Sequence, residues 1–147
     1  MLLRAWVVIL SMQTENESKL TELLKYDTIA VVGCSGTPGK AAHEVPAYFK
    51  RHEYEIISVN PFTDEIFGRR PYDSLANVTE EVDPVEIFRP SEKIAGIVSE
   101  ALERDDIEAI WMQAGIEDDV AAERAEDAGL SVVQDHCLKV QHGLLIR

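Results

Sequence analysis

The run Gly33-Cys34-Ser35-Gly36-Thr37-Pro38-Gly39-Lys40 gathers the groups in this sequence best suited to holding an anion. Glycines let a backbone approach a phosphate closely, and Lys40 brings positive charge. A helix starting just after the run points its free amides at the same place. Two familiar phosphate loops fail on spacing. A Walker A loop sets four residues between its first Gly and its Gly-Lys pair and then places Ser or Thr. Here five residues separate Gly33 from Gly39-Lys40, and Ala41 follows. A dinucleotide fingerprint needs Gly where Ser35 stands, and an acid closing the second strand to hold a ribose. That strand ends Ser58-Val59-Asn60-Pro61. A tight strand-to-helix turn that binds nothing uses the same glycines and stays open as an alternative.

The elements that must position this run follow from hydrophobic patterning. Thr28-Ile29-Ala30-Val31-Val32 is a continuous apolar run ending at Gly33, the pattern of a strand buried on both faces. Val45, Tyr48 and Phe49 mark the face of the next helix, and Pro46, tolerated in a first turn, sets its start near His43. Strands are predicted at residues 55–59, 85–88, 109–112 and 131–133. Ile94, Ile97, Val98, Ala101 and Leu102 give a second helix one apolar face; residues 117–128 form a third, with acids in its first turn and Gly129 beyond its end. Leu20, Leu23 and Leu24 predict an amphipathic helix over residues 17–26. The alternation predicts an α/β fold: a Rossmann-like, doubly wound parallel sheet of about five strands in three α/β/α layers. Ligands of such sheets bind beyond the carboxyl ends of the strands.

Composition narrows the function. A chain of 147 residues, 46% apolar, suits one domain with a real core. Residues 17–147 are assigned to that domain and residues 1–16 to an N-terminal extension, disordered or with a mis-assigned start, residues 1–11 then preceding a true start at Met12. The apolar run from Ala5 to Leu10 is too short to span a membrane and has no signal cleavage site after it. Twenty-seven acids against 14 bases give a net charge of −13, which repels nucleic acid and anionic membranes. With eight arginines to six lysines, adaptation to high salt is expected. Two cysteines make no disulfide framework and fit a reducing, cytoplasmic compartment. A Cys34–Cys137 bridge is not expected: strands one and five, flanking strand four, would lie about 10 Å apart, beyond the roughly 7 Å a disulfide tolerates. Cys34, Cys137, His136 and His142 lack paired metal-ligand spacing. Ser35 sits in no nucleophile elbow and has no base visible in the sequence. Trp111, inside a strand, reads as core.

Five ordered motifs carry a resemblance: Gly33-x-Ser35, Asn60-Pro61, Phe88-Arg89-Pro90-Ser91-Glu92, Trp111-Met112-Gln113-x-Gly115-Ile116 and Asp135-x-Cys137-Leu138-Lys139-Val140. With these the chain resembles the stand-alone CoA-binding domain proteins, which are similar to the nucleotide-binding domain of the succinyl-CoA synthetase alpha subunit. The resemblance covers roughly residues 20–145. It implies coenzyme A or an acyl-CoA as the small-molecule partner, held by a non-catalytic binding module, carrier or sensor. It further implies that Gly33, Cys34, Ser35, Thr37, Pro38 and Lys40 hold the CoA phosphates. Asn60 and Pro61 would border the adenosine, Phe88, Arg89 and Pro90 would cover the adenine or pyrophosphate, and Gln113, Gly115 and Ile116 would line the pantetheine path. Both thiols would then end strands at the ligand edge, within reach of a mixed disulfide with the CoA thiol. The chain departs from the family at His136, where an arginine is usual. An NAD(P)-binding oxidoreductase, a CoA-ligase-type subunit needing a partner and a vacant scaffold stay open as alternatives, as does a homodimer.

Overall fold

The structure is a computed structural model that describes residues 27–145. The expected N-terminal extension and the helix over residues 17–26 lie outside that range. Strand β1 (Thr28–Val32) leads through the glycine-rich run into helix α1 (Ala41–Arg51), and β2 (Glu55–Val59) follows. Next come β3 (Val85–Ile87), helix α2 (Ile94–Leu102), β4 (Ala109–Met112), helix α3 (Asp119–Asp127), β5 (Ser131–Val133) and helix α4 (Leu138–Leu145). The five strands are all parallel, in the order β2-β1-β3-β4-β5. The order reverses between β1 and β3, and the crevice at such a switch point is where doubly wound sheets take their ligands.

Two apolar clusters sandwich the sheet. On one face α2 and α3 pack Ile94, Val98 and Ala125 against Ile57, Ile87 and Ile110; on the other, α1 and α4 pack Phe49 and Leu138 against Val31 and Trp111. Trp111 is fully buried and its indole N–H donates to the His136 carbonyl at 2.7 Å, so it is core, as its strand position predicts. No helix among the described residues is long and apolar enough to cross a membrane.

The helix ends differ from the sequence reading for local reasons. Helix α1 begins at Ala41, two residues before His43, which leaves Pro46 inside the helix rather than in its first turn. A proline there has no N–H for the carbonyl four residues back. That carbonyl, on Ala42, instead accepts the Ser35 N–H at 2.9 Å. The glycine-rich run supplies the hydrogen bond that the helix lacks, so the proline is accommodated and the loop is anchored. Helix α3 is shorter than expected because Asp118 caps it, its carboxylate accepting the Ala121 N–H at 3.0 Å. Helix α4 has no counterpart in the sequence reading: eight residues interrupted by Gly143 carry too little periodicity. Two strands, β3 and β4, lie between β1 and β5, where one was expected. Strand spacing alone then sets β1 and β5 about 14 Å apart; both cysteines are free.

In-register pairing lines Ser58, Val31, Glu86, Trp111 and Val133 in one row across the sheet. Glu86, at the centre of that row, is fully buried, and neither carboxylate oxygen has a hydrogen-bond partner. Burial pushes its carboxyl up from the ordinary 4.5 to about 8, so the folded protein holds it protonated at neutral pH. The unfolded chain releases that proton near 4.5. Between the two values the native state binds more protons than the unfolded state, so this group's contribution falls as pH rises, by about 1.4 kcal/mol per pH unit. Asp83, raised by burial to about 6, acts in the same direction over a lower window. We predict that Glu86→Gln is close to the parent in thermal midpoint at pH 5 and clearly more stable at pH 8. Melting curves of both proteins across that range check it.

Candidate functional site

The glycine-rich run lies at the carboxyl end of β1, against the start of α1, and its backbone is held at nearly every step. Gly33 N–H donates to the Val59 carbonyl at 2.9 Å, and Asn60 Nδ2 donates to the Cys34 carbonyl at 2.8 Å. Ser35 is fixed through its N–H on Ala42 and through its carbonyl, 2.8 Å from His43 Nδ1, a contact in which the ring N–H is the donor. Ser35 Oγ accepts the Thr37 N–H at 3.0 Å, and the Glu44 carboxylate accepts the Gly39 N–H at 2.9 Å. Among the described residues, the Gly36, Ala41 and Ala42 amides have no protein acceptor. Unsatisfied amides at the head of an eleven-residue helix are the groups that hold an anion. Ser35, although next to His43, has its hydroxyl turned to the loop and its carbonyl to the imidazole, which is no nucleophile–base pair.

Two glycines are required by close approach. Gly33 has φ +87°, and a Cβ there would meet Arg89 Cδ at 3.0 Å and the Phe88 carbonyl carbon at 3.2 Å. The end of β3 therefore packs directly onto the root of the loop. A Cβ on Gly36 would meet the Glu65 carbonyl oxygen at 3.2 Å, so the segment after β2 leans on the loop's far side.

Beside the loop opens a cleft of about 400 Å³ between the carboxyl ends of β1, β2 and β3 and one face of α2. Val32, Val59, Leu75 and Ile97 give it an apolar floor. Gly33, Asn60, Pro61 and Arg89, four of the residues named from sequence, line it. Asn60 is a structural hub, since besides gripping Cys34 its Oδ1 accepts the Phe62 N–H at 2.8 Å. Ser35, Thr37, Pro38 and Lys40 lie in the loop that leads into α1 and do not line the cleft. Pro90 is exposed at the end of β3, also outside it, and Phe88 packs into the apolar cluster on the other sheet face.

Gln113, Gly115 and Ile116 lie at the end of β4, away from the cleft lining. Gln113 is buried and its Oε1 accepts the Leu138 N–H at the head of α4, at 3.4 Å. Gly115 owes its identity to φ +85°, which lets its N–H donate to Asp135 at 2.6 Å; nothing crowds its Cβ position. Ile116 packs on the core. His136 Nδ1 lies 2.6 Å from the Gln134 carbonyl.

Cys34 lies in the apolar cluster under α1 and α4. Its thiol is fully buried, and burial pushes it up to about 11, with Glu86 acting in the same direction. Such a group offers no thiolate at neutral pH, so the mixed disulfide with a ligand thiol has no basis at this position. No group of three or more acidic, His or Cys side chains among the described residues is arranged to hold a metal ion.

Sequence reasoning missed Phe62, Lys93, Gly96 and Glu100, all of which line the cleft. The last three, with Ile97, stand at helical spacing i, i+3, i+4 and i+7, a signal present in the sequence. A glycine inside that helical pattern was the other clue.

The geometry meets a family here. The family model for the CoA binding domain matches residues 27–143. The chain belongs to the CoA-binding domain family. Over 134 residues it is 35% identical to the uncharacterized protein YneT of Bacillus subtilis, covering 90% of this chain and 98% of that one. It is 28% identical over 88 residues to the ADP-forming acetate–CoA ligase of Methanocaldococcus jannaschii, of which it spans 12%. A hypothetical protein from Pyrococcus horikoshii superposes with TM-score 0.83 at 28% identity, covering 89% of this chain and 92% of that one. A Thermus thermophilus protein superposes with TM-score 0.80 at 33% identity, covering 90% and 98%. The Rossmann-like fold expected of this CoA-binding family member is the fold observed.

We predict that a thiol reagent at pH 8 labels one cysteine of the folded protein, the half-buried Cys137, and labels Cys34 only after denaturation. Peptide mass spectrometry with and without denaturant checks this; rapid native labelling of Cys34 would contradict the burial described.

Proposed function

We propose that this protein binds coenzyme A, or an acyl-CoA, at the carboxyl edge of its sheet, as a non-catalytic cytoplasmic module that carries or senses the ligand. The observation that carries the reading is the loop with its free Gly36, Ala41 and Ala42 amides beside an apolar cleft entered by Arg89. The CoA pyrophosphate meets those amides and Lys40, and Arg89 answers its charge from the end of β3. The nucleotide end of the ligand lies in the cleft, and the thiol arm leaves along the rim. Local positive charge matters because the chain as a whole, at −13, repels a polyanion.

The alternative, a dinucleotide such as NAD, lacks the acid that grips a ribose diol at the end of β2. In its place stands Asn60, whose amide nitrogen is bonded to Cys34 and whose amide oxygen is bonded to Phe62. The similarity to ADP-forming acetate–CoA ligases supports CoA, and covers only a small part of those enzymes.

Calorimetric titration with CoA, NAD and ATP, at moderate and at high salt, tests the reading. CoA is expected to bind most tightly, and Lys40→Ala and Arg89→Ala are each expected to weaken it by about tenfold, or about 1.4 kcal/mol. Preference for NAD would establish the alternative, and a folded protein that takes none of the three would leave the scaffold vacant.

A further inference from the structure

Of the eight glycines in the chain, Gly96 alone has neither a left-handed φ nor any atom within 4 Å of the position its Cβ would take. It is the third residue of α2, where glycine weakens a helix relative to almost any other residue. Nothing in the fold asks for it. Its bare backbone faces the cleft, between Lys93 one turn before it and Glu100 one turn after.

In the lining of the same cleft, Phe62 follows Pro61 beyond the end of β2 and is 79% exposed. The ring is not loosely hung. Asn60 Oδ1 fixes the Phe62 N–H, and the Arg89 guanidinium lies over the ring, 5.7 Å from its centroid. A large apolar ring held in water beside an apolar cleft, and a helix wall stripped of its side chain in that cleft, are two independent observations. Both ask for the same occupant.

We propose that Phe62 and Gly96 form a slot for the flat heteroaromatic ring of a nucleotide, Phe62 supplying a stacking face and Gly96 the space for the ring's edge. Stacking on an aromatic face suits any base, because every base has a π-face. Arg89, over the phenyl ring and against Gly33, is placed between the ring and the anion-holding loop. Selectivity for a base-bearing phosphate ester over a simple phosphate ester therefore resides in two residues outside the glycine-rich run. The inference rests on the CoA reading only in using the same cleft, and it requires a ring, not the thiol arm.

The test titrates CoA, ADP, which has the base without the arm, and 4′-phosphopantetheine, which has the arm without the base, into the full-length protein and its Phe62→Ala, Phe62→Tyr and Gly96→Leu variants. Phe62→Ala and Gly96→Leu are expected to weaken CoA and ADP by about tenfold and leave 4′-phosphopantetheine unchanged, while Phe62→Tyr stays within about twofold of the parent. Gly96→Leu is expected to raise the thermal midpoint while lowering affinity, which a damaged fold would not do. Parental affinity for CoA and ADP in Phe62→Ala and Gly96→Leu would overturn the slot and leave the CoA reading standing. ADP binding that both variants lose, in a protein indifferent to CoA, would sustain the slot and remove the CoA reading. A folded protein that takes neither ADP nor CoA would remove both.

Discussion

The contact on which the site depends is the approach of the end of β3 to Gly33. At that residue the chain leaves β1 in a left-handed conformation, and the Phe88 backbone and Arg89 methylenes occupy the space a side chain would need. Any larger residue faces both a strained φ and a clash with backbone, costs of about 1–3 kcal/mol for the strain alone. The close approach brings Arg89 to the root of the loop and leaves the cleft on its other side. Asn60 secures the third wall, tying the end of β2 to the Cys34 carbonyl. Three strand ends are thus locked together by one glycine and one amide side chain.

The loop itself is kept open by a proline. Pro46 deprives the Ala42 carbonyl of its helical donor, and the Ser35 N–H takes the vacancy. His43, one residue beyond Ala42, holds the Ser35 carbonyl. With Ser35 tied at both its amide and its carbonyl, the Gly36, Ala41 and Ala42 amides are left without a protein acceptor among the described residues, the kind of group to which a helix start draws an anion. The chain's acidity sharpens the requirement: a ligand anion is tolerated only where such amides and the Arg89, Lys93 and Lys40 side chains outweigh the general field.

Much of this was legible in the sequence. Continuous apolar runs located the strands within a residue, and the glycine-rich run after β1 marked the loop. What could not be read was which side of each strand end faces the cleft. Gln113, Gly115 and Ile116 sit in the turn from β4 to α3, outside the cleft lining, where Gln113 and Gly115 bond to the β5-to-α4 turn, because a strand end supplies residues to both faces and spacing does not say which. Cys34 looked like a ligand-edge thiol, and alternation turned it into the core. Phe62 escaped notice because exposure, not pattern, gives it meaning. Gly96 was visible as a glycine in a helix, and only the empty space over it shows that packing does not account for it.

Amide chemical shifts of isotopically labelled protein during a CoA titration test the account most directly, since they locate the ligand as well as detect it. Gly33, Gly36, Ala41, Ala42, Phe62 and Gly96 are expected to move together and saturably, while Asp83 and Ile107, outside the cleft and its loop, stay still. Shifts confined to those distant residues, or no saturable shifts in a folded protein, would contradict it.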